Sequence, residues 1–153
     1  MDRKLLEQLI TVVDEGFDIM QEYANKPRQF NGIMLYPVET QTLEIIGQNP
    51  GITASKIAKE LKKTLSASSQ ILKKLEQKEL VSRIKNPHNN REYNLYLTDV
   101  SKSIIDLHSE LDEMIYSRYQ EDLKDLSNEE ILNFIKVQKA LNKEFLRDLE
   151  ESF

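Results

Sequence analysis

The 153-residue sequence predicts a mainly α-helical chain with one small β-hairpin. Three observations predict it. Apolar residues recur at three- and four-residue steps over long stretches at both ends, which is the spacing of a single helical stripe. Two short helical segments stand in tandem near the middle, each preceded by a threonine able to cap it, Thr53 and Thr64. Behind them come LVSRI and REYNLYL, joined by an Asn- and Pro-containing turn, with Tyr93, Leu95 and Leu97 on one strand face.

In chain order, Leu5, Leu6, Leu9, Ile10, Val13, Phe17, Met20 and Tyr23 place a long first helix up to about Asn25. Residues 26–36 read as a connection with an apolar tail. Pro37 then suits the first turn of a second helix with Leu43 and Ile46 inward, stopped by Asn49-Pro50-Gly51. The segment TASKIAKEL buries Ile57, Ala58 and Leu61, and TLSASSQILKKLEQKEL follows after two lysines. Two short helices with so short a link form a helix-turn-helix, and a hairpin directly after it stands in the place of a wing. Thr98 caps a fifth helix with Ile104, Ile105, Leu107, Leu111, Met114 and Ile115 on its apolar face. Ser127 with Glu130 forms a capping box for a sixth, which carries Ile131, Phe134, Ile135, Val137, Leu141, Phe145 and Leu149. Helices of about 25 residues reach about 37 Å, and stripes of that length need a partner surface, which a twofold copy of the chain supplies.

Composition excludes several classes. With no cysteine the chain has no disulfide, thiol nucleophile or thiolate metal site. His88 and His108 have no second ligand at a metal-binding spacing, so no metal or other cofactor is expected and both are read as solvated. No nucleophile, base and orienter can be assembled, which argues against an enzyme. No apolar run is long enough to span a membrane, and the acids within the first apolar stretch do not suit a signal peptide, so a cytoplasmic location is expected. Charge is segregated: net −4 over residues 1–51, +5 over 52–100 and −6 over 101–153. A basic centre between acidic flanks points to a polyanionic partner there.

The recognition chemistry is concentrated on the fourth helix. After the cap at Thr64, residues Ser66, Ser69, Gln70, Lys73 and Lys74 share one face. Small serines allow close approach to a major groove, a glutamine amide can bond adenine, and lysines reach phosphate. An ordinary solvated face is the alternative, but serine is a poor helix former. At the hairpin tip, Arg91 has the length and charge for a narrow minor groove. His88, Asn89 and Asn90 either bond phosphate and sugar or serve only to form the turn.

These residues resemble the MarR (multiple antibiotic resistance regulator) family of winged-helix transcription factors over nearly the whole chain. The resemblance is strongest from Ile52 to Thr98, through the helix-turn-helix, the exit LEQKELVSR, the wing and the closing Leu97-Thr98. Where the family pattern has Asp-x-Arg at the wing tip, this chain has Asn89-Asn90-Arg91, keeping the arginine and losing the acid. Glu79 stands where a helix-ending glycine is usual, and Lys62 and Ser68 replace a turn glycine and an apolar core residue. The resemblance implies terminal dimerisation segments over 1–36 and 99–153 around a DNA-binding winged helix at 37–98. It also implies a homodimer on a pseudo-palindromic double-stranded operator, acting as a repressor released by a small aromatic effector. Phe30, Ile33, Met34 and Tyr36 lie near the family's ligand pocket, with plain core or dimer packing as their other reading. A winged helix that binds protein partners through its acidic terminal helices is the competing function.

Overall fold

A computed structural model describes residues 2–87, 89 and 92–151. The wing-tip residues His88, Asn90 and Arg91 lie outside them. Six helices and two hairpins follow in order: α1 (Arg3–Asn25), β1 (Arg28–Phe30), β2 (Ile33–Leu35), α2 (Pro37–Gln48), α3 (Ala54–Glu60), α4 (Leu65–Gln77), β3 (Val81–Lys85), β4 (Tyr93–Leu97), α5 (Asp99–Asp122) and α6 (Asn128–Glu150). The chain divides into two compact units, residues 1–110 and 111–153. None of its described helices is long and apolar enough to cross a membrane.

The core of the first unit is built from one or two side chains per element. Leu35, Leu43, Ile46, Ile57, Leu72, Leu75, Leu80, Leu95 and Ile104 are all essentially solvent-free. They come from β2, α2, α3, α4, the α4 exit, β4 and α5, so the helix-turn-helix, the hairpin behind it and the start of α5 share one apolar centre. α2 approaches its neighbours closely at Gly47, where an added Cβ would lie 3.0 Å from Leu97 Cδ1. Pro37 opens α2 as expected, and Asn49 closes it by donating its backbone N–H to Ile45 and Ile46.

The structure corrects five expectations, the Thr53 cap described below and four others. Residues 26–36 are not a plain connection: β1 and β2 pair antiparallel with Phe30 opposite Ile33, turning on Asn31 and Gly32 at φ 48° and 83°. Two consecutive residues at positive φ suit a tight hairpin, because that turn matches the right-handed strand twist. His108 is not solvated. Its side chain is 17% exposed, with Nδ1 3.0 Å from the Glu44 carboxylate and its ring 5.8 Å from Phe30. Leu61 is the half-exposed C-cap of α3 and not a core residue. Finally, α4 ends at Gln77, three residues before the expected end at Leu80, as Lys78 and Glu79 turn the chain out of the helix.

In the second unit, α6 begins at a closed capping box. Ser127 donates from its backbone N–H and hydroxyl to Glu130 Oε2 at 2.8 and 2.7 Å, and its hydroxyl accepts from the Glu130 N–H at 3.3 Å. No residue of α6 is buried, and Phe134, Ile135, Phe145 and Leu149 are exposed. The same holds for α1, in which Leu5, Phe17 and Met20 are each more than half exposed.

Candidate nucleic-acid interface

Helix α4 separates inside from outside by the helical period. Ser68, Leu72 and Leu75 are buried, whereas Ser66, Ser69, Gln70, Lys73 and Lys74 are all exposed, so the predicted face is formed as one surface. Thr64 caps it: its hydroxyl accepts the Ala67 N–H at 3.2 Å, satisfying a donor that a helix start leaves open. Thr53, expected to cap α3, bonds Ser55 Oγ at 3.0 Å and makes no cap bond to the backbone. Lys56 and Lys59 of α3, with Lys62 and Lys63 of the turn, are exposed and add positive charge to the helix-turn-helix.

The far end of α4 is fixed by a buried carboxylate. Lys78 Nζ lies 2.8 Å from both oxygens of Glu39 and from the carbonyl oxygen of Met34. Glu39 also accepts the Tyr36 N–H at 2.9 Å and is 3% exposed in its side chain. The charge of Lys78 is therefore directed inward. Lys73 and Lys74 are the α4 lysines that face out.

The hairpin carries a third strand segment. Gly51 N donates to Leu95 O at 2.9 Å and Leu95 N to Ile52 O at 3.0 Å, which ties the chain between α2 and α3 onto β4. Gly51 is suited to that place by its φ of 85° and by the Tyr96 hydroxyl, which would stand 3.1 Å from an added Cβ. Between the start of α4 and the wing strands an open cleft of about 340 Å³ is lined by Thr53, Leu65, Ser69, Arg83, Glu92, Tyr93 and Leu95. Arg83 is held in place by the Glu76 carboxylate and stands over the Tyr93 ring at 5.9 Å.

Towards the tip, Asn86 organises the turn that its Asn-Pro dipeptide predicts. Its amide donates to Asn94 Oδ1 at 3.1 Å, its Oδ1 accepts the Asn89 N–H at 3.2 Å, and its backbone N–H bonds Glu92 O at 3.0 Å. Asn89 closes the same turn by accepting from Glu92 N at 3.0 Å. The Asn-Pro dipeptide was the available signal, since asparagine bonds its neighbouring backbone in such turns.

The four residues placed near an effector pocket diverge. Phe30 is buried, Ile33 half-buried, and Met34 and Tyr36 about half exposed. They sit on or beside the β1–β2 hairpin, on its alternate faces, and the Met34 carbonyl receives Lys78.

Residues 35–93 match the sequence pattern of the MarR family. No curated protein matches the chain in sequence. Among solved structures, Streptococcus pneumoniae FabT in complex with DNA is 26% identical over 97% of this chain and 99% of its own, with a TM-score of 0.68. The zinc-responsive MarR family member ZitR of Lactococcus lactis is 22% identical over 90% of this chain and 99% of its own, with a TM-score of 0.72. A ZitR variant in complex with DNA is 24% identical over 90% and 97%, with a TM-score of 0.73.

Proposed function

Residues 35–93 carry the sequence pattern of the MarR family, and from that premise we propose that the chain binds a pseudo-palindromic DNA operator as a homodimer and represses transcription there. It is a DNA-binding transcription regulator and not an enzyme. The observation that carries the reading is the exposed face of α4 from Ser66 to Lys74, polar and then basic, set beside a hairpin wing. Two such helices in a dimer enter successive major grooves about 34 to 36 Å apart, with the wings over the flanking minor grooves. Residues 37–98 serve as the reading part, and the segments 1–36 and 99–153 pair the two copies through their exposed apolar stripes. Release by a small aromatic effector near Phe30, Ile33, Met34 and Tyr36 completes the reading.

Titration of a labelled promoter duplex against a scrambled duplex at physiological salt tests it. Specific binding tighter by a factor of about a thousand or more supports the regulator. Equal and weak binding to both duplexes favours the competing reading, a winged helix that engages proteins.

A further inference from the structure

Helix α4 contains an inversion that folding does not explain. Its solvent face holds Leu65, Ser66, Ser69, Gln70, Lys73, Lys74 and Gln77, and Leu65 alone among them is apolar. Leu65 is 54% exposed. One turn on, the inward position is given to Ser68, which is fully buried with its hydroxyl unpartnered. The helix thus keeps a leucine outside and a serine inside, the reverse of the arrangement that burial favours. Rules of folding are broken in this way where a side chain serves a ligand.

Position says which ligand. Leu65 is the first residue of α4, directly after the Thr64 cap, and the N-terminal residues of a recognition helix are those that touch base edges. It shares the cleft beside the wing with Ser69, Tyr93 and Leu95, while Lys73 and Lys74 lie farther along the same helix. The major groove offers hydrogen-bonding groups at every base pair and one apolar group, the C5-methyl of thymine. We propose that Leu65 determines specificity by packing on a thymine C5-methyl group in the major groove, an inference that rests on the DNA-binding reading above.

Uracil tests this cleanly, because it keeps every hydrogen-bonding group of thymine and lacks only the methyl. Duplexes enriched from random DNA by the full-length chain are resynthesised with single thymines replaced by uracil, and binding is measured for the wild type, Leu65→Ala and Leu65→Met. One thymine in each half-site is expected to lose about fourfold in affinity on replacement in the wild type, the value of one buried methyl. That loss is expected to vanish in Leu65→Ala and to persist in Leu65→Met, which keeps an apolar side chain. If every thymine responds identically in wild type and Leu65→Ala, the assignment of Leu65 is overturned while the DNA-binding reading stands. If no sequence is enriched at all, that reading fails and the assignment fails with it.

Discussion

Ser68 is buried with a hydroxyl that finds no partner, and Lys62 and Glu79 hold φ values of 51° and 58°, a region that side chains with a Cβ occupy at a cost. These are three of the positions, beside Asn89 at the wing tip, at which the sequence departs from the MarR pattern it resembles, which has an apolar residue and two glycines here. Each departure is a local weakness. Ser68→Ala, Lys62→Gly and Glu79→Gly are each expected to stabilise the chain by about 1 kcal/mol, read as a higher urea midpoint at unchanged slope. At the proposed interface, Arg91→Ala is expected to weaken binding on all sequences and lower the salt slope by about one, whereas Gln70→Ala is expected to relax base choice at one position. An unchanged salt slope in the first variant would remove Arg91 from the interface. The polar part of the outward face of α4 was legible because period and polarity agree there, whereas Leu65, apolar and exposed at its start, was not. The turn at Asn86 was legible too, but its three bond partners were not, since they depend on how the hairpin closes.

Between elements, the Glu39–Lys78 pair fastens the end of α4 to the start of α2 and to β2. Lys78→Met leaves a buried carboxylate unpaired and is expected to destabilise by about 2 kcal/mol or more, while Glu39→Gln in the same chain recovers part of that loss. A strictly additive double-mutant cycle would show that the pair is not coupled. Nothing in the spacing of residues 39 and 78 announces this contact, because it depends on packing between elements distant in sequence. The β1–β2 hairpin is the opposite case. Asn31-Gly32 is among the strongest short-range hairpin signals, but three-residue strands show too little alternation to be seen beside it. The α6 cap was legible in full as Ser127 and Glu130. Hydrogen bonds from the Ser127 hydroxyl and backbone N–H hold the Glu130 carboxyl below the ordinary glutamate range. Its contribution is complete above the ordinary value and is lost as pH falls through the depressed one. NMR titration is expected to find the Glu130 carboxyl titrating below that range, and Ser127→Ala is expected to return it upward.

Across the whole molecule, the order of the six helices and the wing was readable because helical stripes, caps and the helix-turn-helix spacing all agree, whereas the β1–β2 hairpin was read as a connection. Assembly leaves a subtler mark. Helices α1 and α6 bury no residue within the chain while keeping long apolar stripes, which a second copy would cover. Light scattering is expected to return twice the mass of 17.9 kDa, and charged substitutions at Phe17 or Phe134 are expected to lower it towards the single-chain value. A monomer at working concentration would detach the terminal helices from the proposed role. The central claim is that paired chains present two α4 faces at the pitch of duplex DNA, and selection of bound fragments from random DNA by the full-length chain tests it most directly. The account predicts enrichment of one inverted repeat whose half-site centres lie about 10 to 10.5 base pairs apart. A pool that stays random after selection, or that converges on a single unrepeated site, would contradict it.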